Sequence, residues 1–322
     1  MGLARGVVLM AVLGAAVFAL VIAWGDAPAV LRALSDFPPL LVVPVLLLTV
    51  WNYALRWLKW QWYLSVLGVT GLPRRTTTLV FLSGFAMSLT PGKAGELTKS
   101  LFLKELAGAP IARTAPIVFA ERLTDGIAML LLASAGLVGF RLGAPALLAV
   151  AAGAVLAVIL IQARPLAHAL FRLAERIRPV QKLVVSVEVA YDSARELLSW
   201  RRLAIAVGIG TISWAGECLA LYVILLGLGA RPGPTLLNQA TFALASASLV
   251  GSASLLPGGL GAAEGTVAGV LELLAGQPKE VAAAATLLIR ACTLWFGVAL
   301  GSVALAALTR RALRSPAAPV RS

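Results

Sequence analysis

The chain of 322 residues excludes an ordinary soluble protein, because 60% of its residues are hydrophobic and only 13% are charged. A mean hydropathy of +0.93 and long runs of Leu, Val, Ala and Gly are typical of an integral membrane protein with helical spans, so we expect an all-α fold. The net charge of +13 suits cytoplasmic loops, and no basic, aromatic module for nucleic acid remains outside the apolar runs.

The apolar runs predict about six transmembrane helices. The predicted spans cover residues 7–24, 40–63, 111–138, 142–162, 203–228 and 281–308. Each approaches or exceeds the roughly 20 residues that cross the hydrocarbon core as a helix. The first run resembles a signal peptide, but it continues to Trp24 without a convincing cleavage site. We therefore expect an uncleaved anchor, followed by a short loop up to Pro39.

The second span ends in an aromatic and basic cluster. Its members are Trp51, Tyr53, Arg56, Trp57, Lys59, Trp60, Trp62 and Tyr63. Aromatic rings and long cationic side chains commonly anchor helices at the level of the lipid headgroups. The sequence therefore predicts an interfacial belt that only anchors the helix.

Two proline-glycine turns interrupt segments that are too short to cross the membrane. They are Leu89-Thr90-Pro91-Gly92-Lys93-Ala94-Gly95-Glu96 and Leu256-Pro257-Gly258-Gly259-Leu260-Gly261-Ala262-Ala263-Glu264. A helix over residues 76–90 would be roughly 22 Å long, against a hydrocarbon core of about 30 Å. Broken backbone at that depth is tolerated where it is buried in protein or lines a wet cavity. We predict two re-entrant hairpins, at about 76–106 and 236–274.

The distribution of Lys and Arg predicts that both termini are cytoplasmic. With this topology, the inner face collects eight cations of a basic segment at 164–202 and four of a flexible tail at 310–322. We expect the basic segment to form amphipathic helices on the membrane surface. The hairpins then open to opposite sides, within inverted repeat units of about 40–140 and 203–308, in one membrane domain. Hairpins that cross twice, giving eight or ten spans, would preserve the same charge pattern.

Ionisable and glycine-rich positions in the membrane mark the candidate substrate-binding site, because charges there must pair or meet water. The candidates are Pro91, Gly92, Lys93, Gly95, Glu96, Lys99, Glu121, Arg122, Asp125, Glu217, Pro257, Gly258, Gly259, Gly261, Glu264 and Arg290. The helix after the first turn offers unpaired N–H groups beside Lys93, which can hold an anion. Glu96 either belongs to this site or only caps that helix.

Arg122 lies 31 residues after Pro91, and Arg290 lies 33 residues after Pro257, so the repeat continues downstream of both turns. The planar guanidinium of Arg122 is suited to bind phosphate, or else it forms a structural salt bridge with Glu121 or Asp125. In the second unit, we expect Glu264 to pair with Arg290, since neither charge is stable alone at that depth.

The order of these motifs resembles the flippase-like transmembrane domain of lysylphosphatidylglycerol synthases and its stand-alone relatives. The features that carry the resemblance are Ser88 to Glu96, Glu121-Arg122-Leu123-Thr124-Asp125, Leu256 to Glu264, and Arg290. The resemblance implies movement of a phospholipid or a lipid-linked headgroup between the leaflets of the inner (cytoplasmic) membrane, with the two hairpins meeting near the midplane. The chain ends at Ser322 without an aminoacyl-transferase domain, so we do not expect lysine transfer.

Two other classes of function compete with a lipid translocator. A membrane enzyme is disfavoured, because the single His, His168, lies in the basic segment and no metal-ligand spacing or nucleotide-binding loop is present. We therefore expect neither catalysis nor a cofactor. The alternative is a scaffold that holds a glycosyltransferase or lipid-synthesis enzyme through the basic segment. Transport would be passive, or coupled to protons or ions through Glu121, Asp125 or Glu217.

Overall fold

The computed structural model is all-helical over the residues that it describes. These are residues 3–90, 95–136, 148, 151–153, 155–156, 158–159, 162 and 181–314. The first half contains α1 (Leu3–Trp24), α2 (Ala27–Asp36), α3 (Val42–Val66), α4 (Arg74–Ala86), α5 (Thr98–Ala107) and α6 (Ile111–Gly136). The second half contains α7 (Gln181–Leu197), α8 (Trp200–Gly227), α9 (Pro234–Ala253), α10 (Ala262–Gly269), α11 (Lys279–Arg290) and α12 (Phe296–Arg314). The predicted all-α class is confirmed.

Two short 3-10 helices interrupt the chain where the sequence predicts its turns. The first turn, Met87–Leu89, follows α4 directly, and the second turn, Pro257–Gly259, follows α9. Pro257 lies at the start of the second turn, where its fixed φ suits a helical position. Each predicted hairpin therefore consists of two helices joined through a break, with α4 and α5 in the first hairpin and α9 and α10 in the second.

The segment before α3 differs from the prediction. In place of a loop up to Pro39, the chain forms α2, and α1 and α2 meet at an angle of 102°. Asp26 occupies the corner with a φ of 66°, and Pro28 lies in the first turn of α2, where its missing N–H costs no hydrogen bond. The loop prediction was wrong because ten residues suffice for a short amphipathic helix.

Three continuous helices among the described residues are long and apolar enough to cross a membrane. They are Pro39–Val66, Trp200–Gly227 and Lys279–Arg310, and the bent pair of α1 and α2 adds up to one more. The last of these is not a single regular helix, because α11 passes into α12 through a π-helical turn at Ala291–Trp295. The number of spans, their orientation and the re-entrant nature of the hairpins stay predictions.

Part of the predicted organisation falls outside the described residues. This applies to most of the span at 142–162, to residues 164–180 of the basic segment and to residues 315–322 of the tail. The described part of the basic segment contains α7, which packs against α6. Arg113 of α6 lies 3.7 Å from Glu196 of α7, so an ion pair accompanies this contact.

The helix contacts repeat between the two halves of the chain. Helix α4 packs along α12, and α9 packs along α6, while α3 packs along α8. We match α3 with α8, α4 with α9, and α6 with the continuous pair α11–α12. Under this matching, the contact of α4 with α12 corresponds to the contact of α9 with α6. The contact of α3 with α8 corresponds to itself. A twofold relation between two units produces this pattern, and it supports the predicted repeat.

Glycines allow α6 to lie close to α9, and α12 to lie close to α4. A Cβ placed on Gly136 of α6 would lie 2.9 Å from the carbonyl oxygen of Asn238 in α9. Likewise, a Cβ placed on Gly301 of α12 would lie 2.7 Å from the carbonyl oxygen of Leu82 in α4. Small residues at helix contacts let backbones approach, which is the main source of packing between helices in a membrane.

Candidate functional site

The first and second turns contact each other. A Cβ placed on Gly258 would lie 2.9 Å from Cδ2 of Leu89, so the end of that side chain would have to shift. The backbone conformation favours glycine at this position, since Gly258 has a φ of 62°. The contact thus joins one residue of each motif that the sequence identified, Leu89 of the first and Gly258 of the second.

A cavity of about 300 Å³ lies beside this contact. Residues from both halves line it, including α3, α6, α8, α9, α11 and the second turn. The predicted candidates that line the cavity are Glu96, Arg122, Asp125, Glu217, Gly258, Gly259 and Arg290. The cavity therefore brings together charged residues from both halves of the chain in one site.

Arg122 contributes a guanidinium that is held between two carboxylates. Its Nη2 lies 3.4 Å from Oε2 of Glu96 and 3.9 Å from Oδ2 of Asp125. Nevertheless, the Nε and Nη2 atoms of Arg122 are buried without a hydrogen-bond partner among the described residues. The alternative of a self-contained pair with Glu121 is wrong, because the Glu121 carboxylate binds elsewhere. The ion pair with Asp125 is loose, so donors of Arg122 stay available to a ligand.

Arg56 also lines the cavity, whereas the sequence-based interpretation placed it only in the interfacial belt. Its guanidinium lies 5.4 Å from the ring centre of Phe85 and 5.7 Å from that of Trp214, which positions it by cation–π contacts. Its Nε is 3.8 Å from Oδ2 of Asp125. Arg56 therefore adds a second guanidinium beside Arg122 on the same wall of the cavity.

The predicted interfacial belt is wrong for half of its members. Tyr53, Lys59, Trp60 and Tyr63 are buried, and Lys59 Nζ lies 2.5 Å from Oδ1 of Asp125. A spacing of three and four residues places these side chains on the same face of α3 as Arg56, and this is the sequence signal that identifies a protein-facing stripe. Their aromatic character alone suggested the membrane interface.

In the second unit, the predicted pair of Glu264 with Arg290 is confirmed. Arg290 Nε donates a hydrogen bond of 2.6 Å to Oε1 of Glu264, and its Nη2 donates one of 2.9 Å to the carbonyl oxygen of Gly258. The other carboxylate oxygen of Glu264 accepts a 2.7 Å hydrogen bond from the N–H of Gly261. Arg290 thus fixes the second turn to α11 while it lines the cavity.

Lys99 and Glu121 form a separate buried pair. Lys99 Nζ lies 2.7 Å from Oε2 of Glu121 and 4.6 Å from the ring centre of Trp60. Neither residue is among those that line the cavity. The pair instead joins α5 to α6, and a structural role follows from this position.

The remaining candidates divide into two groups. Pro91, Gly92 and Lys93 lie outside the described residues. Gly95 donates its N–H to Oγ1 of Thr90 over a distance of 2.7 Å. Gly261 is the N-cap residue directly before α10, and Pro257 is the first residue of the second turn. The last three shape the turns without lining the cavity.

Glu217 differs from the other carboxylates of the site. It lies on α8, it lines the cavity and it is only 5% exposed. No ion pair or hydrogen bond of its side chain is found within the described part of the chain. Within that same part, no three His, Cys, Asp or Glu side chains are grouped as they would be around a metal ion.

The fold and the cavity define a class, that of α-helical membrane proteins with a charged cavity that is lined by both halves of the chain. The chain belongs to the family of the lysylphosphatidylglycerol synthase transmembrane region, whose model matches residues 11–301. It is also 26% identical over 310 residues to a UPF0104 membrane protein of Methanothermobacter thermautotrophicus, a match that covers 89% of both chains. The family predicted from the motifs is confirmed.

Proposed function

We propose that the protein moves a phospholipid or a lipid-linked anionic headgroup across the cytoplasmic membrane, through the cavity between the two turns. The observation that carries this proposal is the pair of guanidinium groups, Arg56 and Arg122, that line one cavity inside a bundle of largely apolar helices. Guanidinium groups bind phosphate through a planar fork of donors, and they keep their charge when partly buried.

The cavity also has an apolar side that suits a lipid. Leu255 and Leu256 both line it, and they are 67% and 45% exposed, respectively. Leu255 is held there by a backbone φ of 55°, which is rare for a residue with a side chain. This arrangement supports a path in which the headgroup enters the cavity while the acyl chains stay in the bilayer.

The contact between the turns supports a mechanism of alternating access. Two units related by a twofold axis can expose one central site to each side of the membrane in turn. In the first unit, Glu96 of the hairpin faces Arg122 of α6, and in the second unit, Glu264 faces Arg290 of α11. These equivalent ion pairs connect each turn to the following long helix, so a movement of either hairpin would reach the cavity.

The proposal is tested by leaflet exchange in proteoliposomes. We expect purified protein to exchange fluorescent phosphatidylglycerol faster than protein-free vesicles, as measured by dithionite quenching. Because a hydrogen bond to a charged group is worth about 1.5–3 kcal/mol, Arg122→Gln and Arg56→Gln should each slow exchange by at least about tenfold. Arg32→Gln is the matched control, since Arg32 is exposed on α2 and does not line the cavity.

Two results would contradict the transport proposal. Wild-type protein that gives no exchange above empty vesicles would favour the alternative of a scaffold for a glycosyltransferase or a lipid-synthesis enzyme. Exchange that is fully retained by a folded Arg56→Gln/Arg122→Gln double variant would remove the two guanidinium groups from the mechanism. Inorganic phosphate is included as a competitor of phosphatidylglycerol. Inhibition of lipid exchange by inorganic phosphate would indicate that a soluble anion is the natural ligand.

A further inference from the structure

Glu217 is a buried carboxylate for which the transport mechanism above has no role. Helices α3, α6, α9 and α11 all pack against α8, which carries it. The side chain lines the cavity, is 5% exposed, and lies more than 4 Å from any cation among the described residues. Since an isolated ionised carboxylate is costly in a protein interior, such a group calls for a ligand or a proton.

Each of the other buried carboxylates has a cationic partner in the described residues. Asp125 contacts Lys59 and Arg56, Glu121 contacts Lys99, Glu96 faces Arg122, and Glu264 binds Arg290. Among the described residues, these four carboxylates are matched by five cations, which leaves one positive charge. An ionised Glu217 cancels that charge, whereas a protonated Glu217 leaves the cavity cationic.

The groups that face Glu217 from the neighbouring helices do not replace it as a proton acceptor. Tyr53 and Arg56 face it from α3, Asp125 from α6 and Arg290 from α11. Helix α9 contributes no titratable residue, and Cys218 follows Glu217 on α8 itself. Asp125 is already bound by a lysine at 2.5 Å, and the arginines stay charged throughout. Glu217 is therefore the group whose charge can change.

We propose that Glu217 binds a proton together with the anionic headgroup, so that the two enter the cavity as a neutral pair. This inference depends on the proposed lipid transport. Protonation removes a negative charge from the cavity wall that would repel the headgroup phosphate, and it leaves the positive charge of the arginines for that phosphate. Release of the headgroup on the other side lets the proton leave as well, which couples lipid movement to a proton gradient.

Positive coupling between the proton and the anion fixes the direction of the pH dependence. Acidic solution protonates Glu217 and strengthens binding of the anion, whereas alkaline solution ionises Glu217 and weakens it. Binding couplings between sites commonly amount to 5–150-fold, so we expect the affinity for phosphatidylglycerol to fall by about tenfold or more between acidic and alkaline pH. By linkage, binding of phosphatidylglycerol should take up as much as about one proton per lipid.

The test uses the full chain in phosphatidylcholine nanodiscs, titrated with phosphatidylglycerol in weak buffer that contains a pH indicator. Wild-type protein should take up protons and bind more weakly at alkaline pH. Glu217→Gln, which resembles the protonated side chain, should bind without proton uptake and with equal affinity at both pH values. Glu217→Asp, which stays titratable, should keep both effects, and so should the control Glu272→Gln, which alters an exposed ion pair with Lys279 outside the cavity.

The outcomes separate this inference from the proposed function. Wild-type protein that binds and exchanges phosphatidylglycerol without proton uptake or pH dependence would overturn the role of Glu217 and leave lipid transport standing. The same holds if Glu217→Gln keeps the wild-type proton uptake. Absence of any binding or exchange by wild-type protein would overturn the transport proposal itself, and the inference with it.

Discussion

Single residues of α3 decide how the cavity is charged. Asp125 lies 2.5 Å from Lys59, 3.8 Å from Arg56 and 3.9 Å from Arg122, so three cations share one carboxylate. One carboxylate cannot satisfy three cations with short hydrogen bonds, and the closest one, Lys59, is the one that it satisfies. The two arginines consequently keep donors for a ligand, which is the physical basis of the proposed anion site.

The sequence predicted some of these side chains and misplaced others. Arg122, Asp125, Glu264 and Arg290 could be predicted because an ionisable residue within an apolar run must have a partner or a purpose. Arg56 and Lys59 could not be assigned in the same way, because they stand among aromatic residues at the end of a span, where interfacial anchors are common. Their spacing of three and four residues was the signal that could have placed them on a protein-facing stripe of α3.

The buried pair in the second unit gives a prediction about stability. Replacement of one partner, as in Arg290→Leu, leaves Glu264 buried without its cation, which should cost about 3–5 kcal/mol of the free energy of unfolding. The double variant Arg290→Leu/Glu264→Leu should recover much of this loss, since no uncompensated charge remains. Denaturant unfolding in detergent micelles measures both.

An exposed ion pair provides the control for this comparison. Lys279 is 56% exposed and lies 3.7 Å from Glu272, so Lys279→Ala should cost less than about 1 kcal/mol. A double variant that is as unstable as the single Arg290→Leu variant would contradict the account, because the loss would then come from packing and not from a buried charge.

At the scale of helices and turns, the residues located the breaks, whereas only the family resemblance implied that the two hairpins meet. Proline followed by glycine marks the end of a helix, and both turns lie beside such a pair. The approach of Leu89 to Gly258 could not be predicted, since it depends on how α4 packs along α12 and α9 along α6. Short apolar segments likewise predicted hairpins, but α2 was missed although it is amphipathic, because a short stretch with Asp26, Arg32 and Asp36 was interpreted as a polar loop.

The contact of the turns predicts a specific sensitivity at Gly258. An alanine at this position would be placed in the left-handed region, at about 1–2 kcal/mol, and it would also collide with Leu89. Overpacking costs typically about 1–3 kcal/mol, and the low end applies here because the end of the Leu89 side chain can shift. Gly258→Ala should therefore lower the free energy of unfolding by more than a left-handed conformation alone explains.

Gly108 offers the matched position, because its φ of 67° and ψ of 8° resemble the φ of 62° and ψ of 9° of Gly258. A Cβ on Gly108 meets no atom within 4 Å. Gly108→Ala should therefore lower the free energy of unfolding only by the cost of the left-handed backbone conformation. In a double-mutant cycle, Leu89→Ala should relieve part of the Gly258→Ala effect, and the coupling is the measured quantity. Equal losses for Gly108→Ala and Gly258→Ala would argue against a tight contact between the turns.

At the scale of the whole molecule, both halves of the chain line one cavity. The described residues form two large apolar clusters, one around Trp60 and Phe81 and the other around Leu221 and Leu271. Each cluster draws on both predicted units, since Leu308 belongs to the first cluster and Val45 to the second. The repeated proline-glycine motif predicts two units, and this organisation stays a prediction. The number of spans could not be predicted with the same security, since helix length alone does not distinguish a hairpin from two crossings.

The most direct test of the account asks where the headgroup of a lipid resides. Phosphatidylglycerol with a photoreactive diazirine in its headgroup is incorporated into proteoliposomes, irradiated, and its adducts are mapped by mass spectrometry. The account predicts adducts on cavity residues such as Met129, Trp214 and Ser248, and their loss in Arg56→Gln/Arg122→Gln. Adducts confined to outward-facing residues such as Val43 and Leu47 would contradict it, because the headgroup would then never enter the cavity.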